Sequence, residues 1–159
     1  MAIQLSAEQV WQVIEKELFA VLGMVNAEGE ARTVGIVYIV RDHKLYIATG
    51  ADTWKARHVA ANPHVSLTIP IAKRIPLMWW IKIPQATITF PGTALVYPAI
   101  EASQDILRAI FREAGTPEMI AESCLIEVTP EKEFITYGIG IPLMQMRYPE
   151  KARGRAPVG

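Results

Sequence analysis

The 159-residue sequence has little cysteine and no excess of charge of either sign. Cys124 is its only cysteine, which excludes an internal disulfide and a metal cluster built from cysteines. Lysine and arginine together number 16, as do aspartate and glutamate, so the net charge is zero. A dedicated nucleic-acid binder needs excess positive charge to displace counterions, and we therefore expect no nucleic-acid partner.

The sequence also lacks a long uninterrupted apolar run. Its most apolar stretch, residues 69–84, contains Lys73, Arg74 and Lys82 together with three prolines. Such charges and helix breakers are incompatible with an ordinary membrane span. The first residues lack the basic and apolar segments of a signal peptide. We expect a cytoplasmic protein without a membrane partner.

Common catalytic and nucleotide-binding motifs are missing as well. The sequence has no Walker loop, no G-x-G-x-x-G after a predicted strand, no H-E-x-x-H and no G-x-S-x-G. The three histidines, His43, His58 and His64, are isolated in sequence, and a general base needs an oriented partner. We therefore assign no catalytic side chain and no metal site.

What the sequence does contain is a large apolar fraction, 51% of its residues, which is enough to bury a core within one domain spanning residues 1–159. Ser6 and Gln9 predict a capping box at the start of an N-terminal helix within residues 1–18. Gly115 is expected to end the longest helix, and the tail 141–159 is expected to be extended. The predicted helices cover residues 7–17, 54–61 and 100–114.

Short β-branched and apolar runs separated by turn residues predict an antiparallel sheet. The first three runs have tight turns between them and form a meander. Pro91-Gly92 predicts a bulge or kink within a later strand. Six or seven antiparallel strands with three helices favour a mainly β fold, a closed or partly closed barrel with peripheral helices. The predicted strands cover residues 19–25, 33–40, 45–48, 65–69, 87–97, 125–128 and 133–137.

Three polar residues mark a candidate phosphate site. Arg32 begins one strand, Thr49 ends the next, and Lys55 lies in the first turn of the following helix. In a meander the start of one strand lies beside the end of its antiparallel neighbour, so the three side chains are able to converge. The helix N-terminus adds free N–H groups and partial positive charge, which favours phosphate. The alternative interpretation is an arginine and a lysine on a solvated sheet edge.

Four segments of the first half of the chain, residues 29–38, 44–50, 54–57 and 62–67, resemble in their order and spacing the pyridoxamine 5′-phosphate oxidase-like family, the FMN-binding split barrels. The resemblance implies a six-stranded antiparallel Greek-key split β-barrel. It also implies a homodimer that binds two flavins in the clefts between its subunits.

By position, the resemblance implies that Arg32 and Lys55 grip the FMN phosphate and that Thr49 adds a hydroxyl contact. The backbone of the three residues after Arg32 would line the isoalloxazine ring, where Gly35 allows a close approach. Ala48 would lie beside them. The implied cofactor-binding residues are Arg32, Thr33, Val34, Gly35, Ala48, Thr49, Trp54 and Lys55.

The sequence departs from the oxidase proper at several positions. Trp54 stands where the oxidase usually has a second arginine on the phosphate, Val37 stands where it has a lysine, and its C-terminal Arg and His pattern is missing. We therefore expect an oxidoreductase for an unknown small substrate rather than a true pyridoxamine phosphate oxidase. That substrate would enter near Met78, Trp79 and Trp80, unless these side chains form the dimer core.

Two other cofactors and a non-enzymatic role stay open. The deazaflavin F420 carries an acidic tail and needs a broad basic groove, for which Lys73, Arg74 and Lys82 are available. Haem needs an axial ligand, for which His58 and His64 are the candidates. A flavin-binding or flavin-free barrel that acts as a sensor or interaction module is the third alternative.

Overall fold

The computed structural model describes residues 3–73, 77–78 and 80–159, so Arg74 and Trp79 lie outside the described residues. Within these ranges, ten strands form one curled sheet and five α-helices lie around it. The strands are β1 (Ile3–Gln4), β2 (Phe19–Val25), β3 (Ala31–Val37), β4 (Ile39–Arg41), β5 (Lys44–Gly50), β6 (His64–Ile71), β7 (Ala86–Pro98), β8 (Ser123–Pro130), β9 (Glu133–Tyr137) and β10 (Arg153–Pro157). The helices are α1 (Ala7–Lys16), α2 (Trp54–Ala61), α3 (Gln104–Phe111), α4 (Pro117–Ala121) and α5 (Pro149–Ala152).

The N-terminal helix α1 begins as its sequence predicts. The Ser6 hydroxyl accepts a hydrogen bond from the Gln9 N–H (3.1 Å), and the Gln9 side chain accepts one from the Ser6 N–H (2.8 Å), which confirms the capping box. Trp11 on the buried face of α1 donates its indole N–H to the carbonyl oxygen of Val158 (2.9 Å). This bond fixes the C-terminal end of the chain against the first helix.

The long strand β7 joins the two halves of the sheet. Its first part pairs with β9, its second part pairs with β8, and β6 runs along its other edge. Gly92 lies where β7 changes partner, and a Cβ atom there would lie 2.9 Å from the Thr129 carbonyl oxygen. The close passage of two backbones explains why the predicted kink carries a glycine.

The prediction of a mainly β split barrel with peripheral helices is confirmed, although the described strands number ten rather than six or seven. The additional strands are short, and β1 even pairs in parallel with β10. Apolar side chains fill the inside of the curl, and α1 and α2 add theirs to this core. Its largest fully buried side chains include Ile14, Leu22, Leu45, Leu67, Phe90, Ile126 and Phe134.

The predicted meander is wrong in one respect, because β5 does not pair with β3. Tyr38 interrupts the chain between β3 and β4: its side chain is buried, its hydroxyl donates to the Ile14 carbonyl (2.7 Å), and its N–H donates to the Leu18 carbonyl (3.0 Å). Only β4, beyond this break, pairs with β5. The strands β3 and β5 approach each other without a ladder, and we call the gap between them the split.

Two other expectations were wrong. The helix expected over residues 100–114 consists of α3 between two 3₁₀ turns, because Ser103 caps α3 through the Ile106 N–H (3.3 Å) and Arg112 leaves the helix with a φ of 51°. The tail from residue 141 is not simply extended. It forms a 3₁₀ turn, α5 and β10, and β10 pairs with the free edge of β9.

The outside of the sheet is covered on one half only. Over β4, β5 and β8, the helices α3 and α4 bury a second apolar cluster that includes Tyr46 and Leu125. The other half of the sheet consists of β10, β9, β7, β6, β2 and β3, and we call its outer face the open sheet face. A row of cross-strand neighbours on this face contains no buried residue. That row consists of Arg155, Ile135, Thr89, Thr68, Val21 and Gly35.

Candidate functional site

The turn from β5 into α2 places two hydroxyl groups side by side. Thr49 ends the inward face of β5, and its hydroxyl lies 3.1 Å from the hydroxyl of Thr53. Thr53 caps α2: its side chain accepts from the Ala56 N–H (3.4 Å) and donates to the Gly50 carbonyl (3.0 Å). Because Thr53 holds these bonds, the Thr49 hydroxyl is fixed beside the first turn of α2, where the helix dipole is positive.

Lys55 belongs to the same first turn, as the second residue of α2. Thr49 is the cross-strand neighbour of Cys124 in β8, and the Cys124 side chain is buried. Burial raises the pKa of the Cys124 thiol, and the positive charge of Lys55 partly lowers that pKa by favouring the thiolate. Thr49 near the end of β5 and Lys55 in the first turn of α2 thus belong to the same region of the fold, and their joint contact with a phosphate stays a prediction.

Arg32, the third predicted contact, begins β3 and is held by an acidic neighbour. One guanidinium nitrogen of Arg32 lies 2.5 Å from a carboxylate oxygen of Glu30, and Asn26 donates to the same oxygen (3.0 Å). The Asn26 hydrogen bond, and next to it the Arg32 pairing, lower the pKa of Glu30, which therefore stays ionised. The side chain of Arg32 is about half exposed, at 48%.

The strand directions place Arg32 on the same side of the barrel as Thr49. β4 follows β3 along the chain, and β5 runs antiparallel to β4. The chain therefore runs in opposite directions along β3 and β5, so the start of β3, where Arg32 lies, is at the same end as the last residues of β5, which include Thr49. The two residues lie at the same end of the split, and their convergence with Lys55 on one anion stays a prediction.

The residues predicted to line a flat ring lie on both faces of the two strands. Thr33 and Gly35 are on the open sheet face, whereas Val34 points towards the core. A Cβ atom on Gly35 would lie 2.8 Å from the Phe19 ring, so this ring already covers the glycine. Ala48 turns its side chain to the cluster under α3, and only its backbone faces the split.

Aromatic and histidine side chains near the site make local contacts. Trp54 is 41% exposed, and its ring meets that of His58 edge to face, with centroids 5.6 Å apart. His64 is exposed and lines, together with Arg32, a cavity of about 320 Å³ between β2, β3 and β6. Among the residues that the structure describes, no group of three histidine, cysteine or acidic side chains is placed to hold a metal ion.

The backbone of the split supplies hydrogen-bonding groups of its own. Within the described strands, β3 pairs only with β2, and residues 47–50 of β5 pair only with β8. Each strand thus turns an edge of N–H and C=O groups towards the other. The split can bind a flat polar molecule along these edges and an anion at its Thr49 end. Glu30 and Phe19 were missed by the sequence analysis, although Glu30 stands only two residues before Arg32.

Comparisons with known proteins agree with this architecture. A family model described as pyridoxamine 5′-phosphate oxidase matches residues 6–137. A search of curated proteins finds no match. No helix in the described ranges has the length and apolarity needed to cross a membrane.

Several solved structures share the fold. A Listeria innocua protein, provisionally assigned as a pyridoxamine 5′-phosphate oxidase, is 18% identical with a TM-score of 0.62, over 79% of this chain and 94% of that one. The haem storage protein HutZ of Vibrio cholerae is 15% identical, with a TM-score of 0.63, over 85% and 97%. An F420 reductase is 19% identical, with a TM-score of 0.56, over 77% and 93%.

The position of Lys55 can be tested through Cys124. In Lys55→Met the thiol loses a nearby positive charge that favours its thiolate, so the pKa of Cys124 should rise. The pH dependence of Cys124 alkylation, or of its Cβ chemical shift, measures this change. Lys151→Met, which removes an ammonium group that lies over the Tyr148 ring, is the control. An unchanged pKa in Lys55→Met would mean that the ammonium lies away from β8.

Proposed function

Because the chain belongs to the pyridoxamine 5′-phosphate oxidase family, we propose that it is an FMN-binding flavoprotein that acts as an oxidoreductase on a small molecule. The observation that supports the proposal is that the Thr49 hydroxyl lies beside Thr53, the cap of α2, at one end of a split between two strand edges that do not pair with each other. No side chain is proposed to be catalytic.

The donor groups at the Thr49 end of the split fit a phosphate. Lys55 supplies a positive charge, Thr49 a hydroxyl, and α2 the free N–H groups of its first turn. Arg32 would add a guanidinium fork, which matches phosphate geometry. Each charged contact of this kind contributes about 1.5–3 kcal/mol to binding. Trp54 adds no charge, but its exposed ring lies next to Lys55.

The edges of the split fit the ring of a flavin. The backbone of Thr33, Val34 and Gly35 would donate and accept hydrogen bonds along the polar rim of the ring, with the backbone of Ala48 opposite. Phe19 covers Gly35 and would limit the access of water on that side. The bound FMN would supply hydride or electron transfer, and the chain would bind, orient and shield it.

The open sheet face supports a homodimer. It carries the partly exposed apolar side chains of Phe19, Val37 and Ile135, which are 44%, 63% and 45% exposed. Phe19 and Val37 are cross-strand neighbours, and exposed apolar side chains grouped in this way are typical of a protein–protein contact. A second copy of the chain would cover it and enclose the split, to which Gly35 belongs. The small-molecule substrate would then enter between the subunits.

The alternatives F420 and haem have less support. His58 packs on Trp54 of its own helix, and His64 lines the cavity between β2, β3 and β6. Lys73 is one of the cations expected to bind the acidic tail of F420, but its ammonium group already donates a hydrogen bond to the Ile141 carbonyl (2.9 Å). The names of HutZ and of the F420 reductase describe those proteins. For this chain, we propose FMN as the cofactor that fits the split best.

A visible spectrum of the purified protein tests the cofactor and the activity. We expect flavin absorbance that an anaerobic reductant bleaches and that a small-molecule acceptor restores. A haem or deazaflavin spectrum would contradict the FMN proposal. Reoxidation by none of a panel of acceptors would favour a sensor or carrier over an oxidoreductase.

The double variant Arg32→Ala/Lys55→Ala should release FMN and leave the fold intact, because it removes both cations of the phosphate site. Loss of about 1.5–3 kcal/mol per contact weakens binding by roughly tenfold or more for each residue. Flavin content and sedimentation measure the outcome. Arg57→Ala, on the same helix, is the matched control. Full flavin occupancy in the double variant would refute the assignment of the site.

Glu30→Gln should bind FMN more tightly than the natural chain. Glu30 pairs with Arg32 and adds negative charge beside the phosphate site, and the amide removes both effects. We expect roughly a twofold to fivefold lower Kd at low salt, the range of an exposed ion pair, with a smaller difference at high salt. Fluorescence titration of the apoprotein with FMN measures it. Weaker binding in Glu30→Gln would show that the carboxylate orients Arg32 productively.

A charge on the open sheet face should prevent dimer formation. Ile135→Glu places a carboxylate on the surface that the second copy would cover, so we expect a monomer by analytical ultracentrifugation. Ile100→Glu alters a side chain that is more exposed (69%) but lies beside α3, and it should leave the dimer unchanged. Dimers of equal stability in both variants would place the interface elsewhere.

A further inference from the structure

A second cavity lies between α3 and α4, and the proposed flavin site does not use it. It has a volume of about 340 Å³, at the lower end of the roughly 300–1,000 Å³ found for ligand pockets. Ile100, Leu107, Phe111 and Ile120 provide apolar side chains to its lining. We call this cavity the helical groove. Its floor suits an aliphatic group.

Two arginines, Arg108 and Arg112, also line the helical groove, and no acidic residue does. Arg108 faces this groove, whereas Arg112 also borders a neighbouring cavity that Glu15, Glu17 and Asp42 line. Within the described residues neither guanidinium has an ion pair or a hydrogen bond with the protein, in contrast to Arg32 and Arg41, which pair with Glu30 and Asp105. Unpaired guanidinium groups at the margin of an apolar cavity create a preference for a ligand with one anionic end.

The backbone around the helical groove is held in an unusual conformation. Arg112 has φ 51° and ψ −139°, a combination that glycine adopts far more readily than arginine. This residue ends α3 through its N–H, which donates to the Arg108 carbonyl. Gly115 then passes so close to Phe111 that a Cβ atom would lie 2.5 Å from the phenylalanine Cβ. The chain thus turns sharply between α3 and α4, so that the two helices form the two sides of the groove.

The helical groove is separate from the split and from the open sheet face. The helices that form it cover the outside of β4, β5 and β8 through the cluster that contains Tyr46 and Leu125. The open sheet face belongs to the other half of the sheet. A ligand in the groove would therefore bind with FMN in place and with the dimer intact.

We propose that the helical groove binds an amphipathic monoanion, namely a short unbranched aliphatic carboxylate. The carboxylate lies at Arg108 and Arg112, where guanidinium groups bind its two oxygens. The aliphatic chain lies on the apolar floor, where each buried CH₂ contributes to affinity. The volume of the groove accommodates a short chain rather than a long one.

Calorimetric titration of the purified protein with octanoate, with and without added FMN, tests the proposal. We expect saturable binding of octanoate, and binding at least tenfold weaker for octanol, which lacks the charge, and for acetate, which lacks the chain. Removing CH₂ groups one at a time should weaken binding by up to about fourfold for each group. Equal affinity for octanol and octanoate would overturn the proposal, as would tighter binding of octyl phosphate, which would assign the arginines to phosphate.

Variants locate the binding. Arg108→Gln and Arg112→Gln should each weaken octanoate binding about tenfold. Ile120→Ser should also weaken octanoate binding, because it removes an apolar side chain from the floor of the groove. Arg57→Gln is the matched control on α2 and should bind like the natural chain. The flavin spectrum and the sedimentation of each variant report folding separately. Unchanged octanoate affinity in both arginine variants would overturn the assignment, whatever the outcome of the flavin tests.

Discussion

The break in the sheet at Tyr38 is the constraint on which the candidate site depends. The buried phenol is held by the Ile14 carbonyl of α1, and the Tyr38 N–H is held by Leu18. Because these bonds divide the strand, β5 pairs with β4 beyond the break and leaves β3 free. Two strand edges that a continuous meander would have joined by hydrogen bonds are therefore not paired with each other, and the proposed flavin site lies between them.

The electrostatics of the site come from the ends of elements rather than from a cluster of ionisable groups. Thr53 caps α2 and orients Thr49, while Lys55 stands close enough to lower the pKa of the buried Cys124 thiol. Glu30 offsets Arg32 on the opposite strand. A site of this kind needs no excess of positive charge over the chain, so the net charge of zero is compatible with the proposed phosphate site.

The uneven cover of the sheet divides the molecule into two functional halves. The helices α3 and α4 bury one outer face within the chain and form between them the helical groove. The other outer face carries a row of half-buried and exposed side chains. The proposed dimer contact belongs to this half, the proposed carboxylate ligand to the other, and the split lies between β3 of the first and β5 of the second.

The sequence by itself determined what depends on neighbours along the chain. The capping box of Ser6 and Gln9, the helix from Trp54 to Ala61 and the alternation of Val65 and Leu67 rest on local periodicity and capping chemistry, and the structure reproduces them. The type of fold followed from the number and length of such segments, together with the family resemblance. The candidate phosphate residues Arg32, Thr49 and Lys55 were predicted in this way, and their role stays a prediction.

Only the tertiary structure decided which edges pair and which stay open. The split depends on a bond from Tyr38 to Ile14, 24 positions apart, and the pairing of β10 with β9 depends on an edge left free elsewhere. The sequence also gave no sign that Phe19 covers Gly35 or that Arg112 ends α3. Contacts between distant residues arise from packing in three dimensions, for which spacing along one chain carries no signal.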